Sequence, residues 1–574
     1  MSTDALYRRC KRLIRDIRNA LPKATSALPA DLVKACLEIS ALLSPYSPYG
    51  PAIGRCVAQL ASKSRENRPY LPILLAHWEE DVQVYLHDAL TPQALCQRGQ
   101  TQVQSLRRLR PLMPMLLSRL YDYEVTIAVT AYNKLEYTKL AVESILQHTD
   151  LASLGAELLL IDNGSNDGTA DYFATIPQAK VLCLPEPLGY PATSLGAMAA
   201  RGRYYVHFAN DIIATPRYLE GLLRCIRADS RTGMAVPLCN AMSSGQSIAV
   251  SYPDPRQDPN GLVSFAAAFN RSDPLQWEER PRLLPCMSIM PTVLARACPN
   301  DPWFRFGEFA DDDVSTRLRR AGFRQMLARD TFVHHFGSVT ASTVQSQAQT
   351  LPQSRLLYRQ KWGVDAWSSM DWDTEIAQRT AACLEGPQSR VLWLDPRFGT
   401  QPLYCRTLCR QKGVQSIHCA AETKRAYLPD AEGLFAQAYG GPWQDTLPRF
   451  APGFDAIVCC RDLSCYPEED RQALLSQAAR LLAPGGRLYC MAKNAAAYET
   501  LYNLSCQAFA TPYGEEDLPY HPVYPSTLSS HAAACGLSVS FACAPLALPS
   551  VPGHEAQPTP CPRFFCEFRR ENHV

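Results

Sequence analysis

From Met1 to about Tyr121, apolar residues recur every three or four positions. The run is broken at Pro22, Pro29, Pro45, Pro48, Pro51, Pro69 and Pro72, so the spacing predicts helices joined by turns, without strands. At Val125 the pattern changes. Val125–Thr130, Ala156–Ile161, Lys180–Leu184 and Arg203–Phe208 read as strands, and Leu135–His148, Gly168–Ala174, Tyr190–Arg201 and Pro216–Ala228 read as helices. Repeated strand-helix alternation at this spacing predicts a mainly parallel sheet. The alternation fades near Val344, and Gln353–Trp362 reads as a helix entering a linker that ends around Gln388. A second α/β pattern follows in Arg390–Leu394, Val414–Cys419, Phe454–Cys459, the helix Glu468–Leu482 and Gly486–Met491. No internal repeat relates the two. The expected class is α/β: a helical region over 1–122, an α/β domain over 123–345, a helical linker over 346–387 and a second α/β domain over 388–574.

Composition narrows this picture without redirecting it. A chain of 574 residues, 47% hydrophobic and 20% charged, has ordinary globular usage and room for several domains. A net charge of +2 gives no reason to expect nucleic acid or an anionic membrane as the main partner. The 22 cysteines lack paired CxxC spacing, and Met1-Ser2-Thr3-Asp4 does not open a signal peptide. They are expected to be reduced, buried thiols of a cytoplasmic protein rather than a disulfide framework or structural zinc. The most apolar windows, such as Leu283–Met290, are too short to cross a bilayer. In the first helix Arg8, Arg9, Lys11, Arg12, Arg15 and Arg18 alternate with Leu6, Leu13, Ile14, Ile17 and Leu21. The favoured reading is a solvated charged face over a packing stripe; peripheral membrane or protein contact through these helices is the alternative.

Chemistry is concentrated where strands end. The first strand runs into Thr130-Ala131-Tyr132-Asn133, the second into Asp162-Asn163-Gly164-Ser165-Asn166-Asp167-Gly168-Thr169, and the fourth into Ala209-Asn210-Asp211. Any one of these alone is an ordinary Asp/Asn/Gly turn. Three in order, after successive strands of a parallel sheet, would place Asp162 and Asp211 at the rim where such sheets bind ligands. One carboxylate there can accept from a base or ribose, and another can hold a divalent metal on a diphosphate.

From Val125 to Thr343 these motifs resemble the family 2 glycosyltransferases of the GT-A, Rossmann-like fold. Val125–Asn133 resembles the opening strand, and Ile161–Thr169 the nucleotide-base loop. The resemblance implies that Asp162 contacts the base, with Thr130, Tyr132, Asn133, Gly189 and Asn210 around the nucleotide sugar. Gly189-Tyr190-Pro191 followed by Gly196 is similar to the glycine-led helix before the metal strand. Ala209-Asn210-Asp211 stands where the family has its metal-binding acids, and with Ala first only Asp211 remains as a carboxylate ligand for Mn²⁺ or Mg²⁺. Ala310-Asp311-Asp312-Asp313 before Arg317–Phe323 resembles the Glu-Asp-x-Asp element, making Asp311 the implied general base and Asp313 a further donor-site acid. Phe332–Ser338 resembles the terminal strand, whose His334 or His335, with His335 favoured, would complete the metal shell. Acceptor contacts are expected from the weakly patterned segment between Pro237 and Asp301.

Ser389–Ser540 resembles the class I S-adenosylmethionine-dependent methyltransferases, through Phe454–Cys459 and the Leu482-Ala483-Pro484-Gly485-Gly486 turn. The turn after the first strand, Leu394-Asp395-Pro396-Arg397-Phe398-Gly399-Thr400, keeps one glycine where that family needs small residues. The next strand, read as Val414–Cys419, lacks the expected terminal acid. S-adenosylmethionine is therefore not expected as a cofactor, and the domain is expected to dock or stabilise. The resulting expectation is a metal-dependent, inverting glycosyltransferase moving a sugar from a nucleotide-diphosphate donor to a surface glycan, glycolipid or protein acceptor. A methyltransferase acting on a glycan, or a non-catalytic scaffold of a glycan-synthesis complex, is the alternative.

Overall fold

A computed structural model describes residues 2–21, 28–47, 49–62, 71–88, 91–189, 192–304, 307–337, 350–370, 374–414, 416–495, 521–543 and 563–571. Tyr190, Pro191, Ser338 and Thr343 of the motifs above lie outside these residues. The architecture is mixed α/β, with a helical N-terminal region and two Rossmann-like sheets. The chain divides into two compact units, Met1–Gly363 and Val364–Val574.

In the first unit, helices Thr3–Ala20, Ala30–Leu43, Gly50–Ser62, Leu71–Val82 and Pro92–Leu109 precede the first strand. Leu6, Cys10, Leu13, Ile14 and Ile17 form one face of the first helix and are buried in the main core. Its basic face is engaged locally, with Lys11 and Arg18 on Glu79 at 2.5 and 2.6 Å and Arg9 on Glu38 at 3.2 Å. The apolar stripe is thus consumed in packing, as expected of a helix whose charges face water. No helix among the described residues is long and apolar enough to cross a membrane.

The strands of this unit are β1 (Tyr123–Ala131), β2 (Ala156–Asp162), β3 (Ala179–Cys183), β4 (Gly202–Ala209), β5 (Ile212–Ile213), β6 (Thr232–Leu238), β7 (Trp277–Glu279), β8 (Met287–Pro291), β9 (Arg324–Phe332) and β10 (His334–His335). Eight of them form a sheet in the order β3-β2-β1-β4-β8-β6-β9-β7, and β10 pairs with β5. The chain steps outward from β1 to β3 and returns to the other side of β1 at β4, so β1 and β4 flank the crevice of the topological switch. The helix expected from Tyr190 begins at Thr193 and ends at Ala199. The segment between Pro237 and Asp301 is more ordered than its pattern suggested: it holds the helix Pro259–Phe269 and the fully buried strand β8. Burial on both faces removes the polar alternation by which a strand is recognised.

In the second unit, β11 (Arg390–Leu394), β12 (His418–Thr423), β13 (Gln437–Gly440), β14 (Phe454–Cys459), β15 (Leu482–Lys493), β16 (Leu537–Cys543) and β17 (Arg563–Arg570) form a sheet ordered β13-β12-β11-β14-β15-β17-β16. Part of the stretch read as a linker is the helix Thr374–Cys383, whose Ile376, Ala377 and Ala381 are buried in this unit. One sequence reading is corrected here. The strand placed at Val414–Cys419 begins at His418, so it does carry a terminal acid, Glu422, in register with Leu394. The alanine-rich Cys419-Ala420-Ala421 has weak strand propensity, and tertiary burial of those residues overrides it.

Candidate active site

The polar strand ends meet as their order predicted. Asp162 closes β2 with its carboxylate buried, and Oδ1 accepts from the backbone N–H of Ser165 at 3.0 Å. Gly164 has a positive φ of 75°, and a Cβ there would stand 2.4 Å from the carbonyl carbon of Glu186. Only glycine permits that backbone approach. Asn163 completes the link, accepting from Leu188 N–H at 2.8 Å and donating to the Gly189 carbonyl at 3.2 Å. The helical N-terminal region braces the same segment, since Arg55 pairs with Glu186 through two contacts of 2.6 Å. A Cβ on Gly189 would meet the Tyr49 ring at 2.6 Å.

Across the switch crevice, Asn210 Nδ2 donates to Thr138 Oγ1 at 3.0 Å and to the Asn133 carbonyl at 3.3 Å. Asn133 Oδ1 in turn accepts from Asn166 N–H at 2.9 Å, and its own N–H donates to Ser165 Oγ. The ends of β1, β2 and β4 are therefore one hydrogen-bonded rim. Tyr132 projects from it, 41% exposed, and the Thr130 hydroxyl is a buried oxygen without a hydrogen-bond partner.

Asp211 and His335 face each other, with Nε2 of the imidazole 3.4 Å from Oδ2. Nδ1 lies 2.6 Å from the Ala241 carbonyl, to which it must donate, and this fixes Nε2 as the atom presented to Asp211. Burial disfavours a charged imidazole, but Asp211 and Cys239 outweigh it and push the pKa up to about 10. A carboxylate and a ring nitrogen held this way call for a cation between them, supplied either by a proton or by a divalent ion. The donor set fits the Mn²⁺ or Mg²⁺ that the motifs imply. His334 points the other way, as neighbours on a strand must: its Nδ1 is 2.8 Å from Tyr252 Oη, and burial lowers its pKa to about 4. That geometry assigns His334 to packing and leaves His335 beside Asp211.

Asp311 lies in the first turn of the helix Ala310–Arg320 and lines a cleft together with Thr193, Ser194, His207, Asn300 and Val314. His207 lies on β4, four residues before Asp211. Asp312 is turned onto Arg282, with a contact of 3.1 Å. Asp313 is fully buried and bonded to Lys361 at 2.6 Å, Arg317 at 2.9 Å and the Trp362 indole N–H at 2.9 Å. The donor-site role expected of Asp313 does not fit this position. It anchors the helix that presents Asp311, because successive residues of a helical turn point about 100° apart.

Two further groups at the rim were read only as core filling. Sγ of Cys239, Sγ of Cys286 and a nitrogen of His335 lie within 4.8 Å of one another, all buried. The cysteines are 47 positions apart in the chain, which no local spacing rule detects. Most of the described cysteines are indeed buried free thiols.

Residues 126–251 match the model of the glycosyl transferase family 2. That family's match spans β1 to β6 and contains both Asp162 and Asp211. No curated protein matches the chain. Among solved structures, GalNAc-T7 with UDP, GalNAc and Mn²⁺ is similar at 15% identity and a TM-score of 0.30, over 37% of this chain and 43% of that one. A mannosyltransferase from Pyrobaculum calidifontis in complex with GDP-Man and Mn²⁺ is similar at 17% identity and a TM-score of 0.29, over 46% and 75%. The mitomycin 7-O-methyltransferase MmcR is similar at 14% identity and a TM-score of 0.26, over 40% and 60%. This chain thus spans less than two thirds of two of these three.

In the second unit, the turn after β11 is filled by side chains. Phe398 is 1% exposed and packs edge-on to Tyr427, while Arg397 donates to the Ser368 carbonyl. Asp395 directly follows β11, and its N–H donates to the carbonyl of Glu422 on β12 at 2.8 Å. Burial and the neighbouring Asp395 charge raise Glu422 to a pKa of about 8.

Proposed function

We propose that the first unit is a glycosyltransferase that moves a sugar, with inversion at the anomeric carbon, from a nucleoside-diphosphate donor to an acceptor hydroxyl on a glycan, glycolipid or protein. The observation that carries this reading is the joined rim of β1, β2 and β4, with buried Asp162 and the Asp211–His335 pair at the switch crevice and Asp311 in a cleft that His207 also lines. Asp162 and the Asn133–Ser165 turn seat the nucleoside, since a buried carboxylate at a strand end selects hydrogen-bond donors of a base or ribose. Asp211 and His335 would hold Mn²⁺ or Mg²⁺, which when bound would neutralise charge developing on the departing diphosphate. Asp311 accepts the proton of the acceptor hydroxyl, on the face of the sugar opposite the leaving group. Asp311 is half-buried in the first turn of its helix.

The test is a panel of sugar nucleotides with Mn²⁺ or Mg²⁺ and crude acceptor, read by nucleoside diphosphate release. Asp311→Asn should lower kcat by roughly 10² to 10⁴, the usual share of a general base. Asp211→Ala should lose metal-dependent release. No turnover of any donor would refute the proposal. The second unit is proposed to dock or stabilise rather than transfer methyl groups, because Phe398 occupies its cofactor turn. Calorimetric titration with S-adenosylmethionine decides this: micromolar binding would overturn it.

A further inference from the structure

We propose that Cys239, Cys286 and His335 form a seat for a thiophilic divalent cation such as Zn²⁺, which shares His335 with the Asp211 seat and excludes an ion there. The argument begins with topology. Cys239 directly follows β6 and Cys286 directly precedes β8. Because β8 runs antiparallel to both β4 and β6, its beginning lies at the rim where those strands end, and the Ala209 N–H donates to the Cys286 carbonyl at 3.2 Å. His335, on β10 beside β5, reaches the same place from a third direction. Two thiols and an imidazole from three separate segments therefore converge, with 7% or less of each residue exposed.

Ligand atoms within 4.8 Å of one another suit an ion bonded at about 2.3 Å to sulfur and about 2.0 Å to nitrogen. Thiolate donors favour Zn²⁺ over the harder Mn²⁺ and Mg²⁺, which prefer oxygen. Three protein ligands leave a fourth position for water or another donor. Binding would release thiol protons to solvent, with the sulfurs remaining reduced.

His335 couples the two seats. With Nδ1 bonded to the Ala241 carbonyl, the ring has one nitrogen lone pair to give. An ion held by the thiols through that nitrogen and an ion held against Asp211 through it exclude each other. Zn²⁺ would then displace the donor-site metal. The thiol seat itself does not depend on sugar transfer, so the readout below stands even for a chain with no transferase activity.

The experiment is titration of the full-length, metal-free chain with Co²⁺ as a spectroscopic substitute for Zn²⁺. A near-ultraviolet thiolate-to-cobalt charge-transfer band is expected, bleached on adding Zn²⁺. The band should be lost in Cys239→Ser and Cys286→Ser and persist in Cys225→Ala, a substitution of a buried cysteine on the helix Tyr218–Arg227. Zn²⁺ affinity in the two serine variants should fall by more than the roughly 10- to 100-fold typical of losing an outer-shell partner. A second measurement needs no variant: in the wild-type chain Zn²⁺ should slow alkylation at Cys239 and Cys286, mapped by mass spectrometry, without slowing it at Cys183. Absence of the band, its survival in the serine variants, or alkylation indifferent to Zn²⁺ would overturn the proposal.

Discussion

Lys361→Met removes one cation from the interior of the first unit and keeps the aliphatic stem. Lys361 Nζ lies 2.8 Å from Asp301 Oδ2 and 2.6 Å from Asp313 Oδ1, and all three side chains are essentially inaccessible. The remaining partners set the magnitude. Asp301 keeps Arg98 at 2.8 Å and Gln102 at 2.9 Å, and Asp313 keeps Arg317 at 2.9 Å and the Trp362 N–H. Desolvation opposes ionisation of Asp301, but Lys361 and Arg98 overcome it and hold its carboxyl well below the usual range. Breaking a buried ion pair costs roughly 3 to 5 kcal/mol when one charge is left bare. Here each carboxylate retains an arginine, so about 3 kcal/mol is expected. Urea unfolding followed by tryptophan fluorescence measures it, with Lys180→Met as a reference: Lys180 pairs with Glu157 at 2.9 Å but is 42% exposed, and its loss should cost less than about 1 kcal/mol. Because Asp313 shares a helical turn with Asp311, nucleotide release should fall in Lys361→Met even well below its unfolding midpoint. A loss of stability equal to that of Lys180→Met would refute the reasoning.

Gly164→Ala should destabilise the chain by at least about 1 to 2 kcal/mol, the cost of a left-handed conformation for a residue with a Cβ. The contact with the Glu186 backbone adds to this and should weaken nucleotide binding in a fluorescence titration. In the second unit, Glu422 has a folded pKa of about 8 against an ordinary value of 4.5. A raised pKa gives stability that is complete below about 4.5 and lost as pH rises through about 8, at roughly 1.4 kcal/mol per pH unit between them. Glu422→Gln should flatten that slope and melt higher than wild type at pH 8 in calorimetry of the full chain; an unchanged slope would exclude Glu422 as its source. Asn210→Ala should separate the ends of β1 and β4, lowering donor affinity more than kcat in steady-state kinetics, since Asn210 bonds to Asn133 and Thr138 rather than to the reacting centre.

Sequence alone determined the periodic elements and the order of the polar strand ends. β1, β2 and β4 with their Asn, Asp and Gly tails were legible because short apolar runs bounded by turn residues are local properties. The same local reasoning marked Asp162 and Asp211, and the family resemblance added Asp311. The resemblance put Asp311 and Asp313, two positions apart in one acidic run, at the same site as general base and donor-site acid, whereas one lines a cleft and the other is sealed by Lys361 and Trp362 from a helix nearly fifty residues later. The resemblance favoured His335 over His334, and in the structure His335 faces Asp211 while His334 faces Tyr252. Buried β8 escaped notice for want of alternation, and β12 was misplaced because alanines carry little strand signal, which hid Glu422. The thiols of Cys239 and Cys286 became neighbours only when β8 ran antiparallel between β4 and β6. Contacts across such sequence distances are decided by sheet order and chain reversal, which depend on the packing of the whole unit and not on any local run of residues.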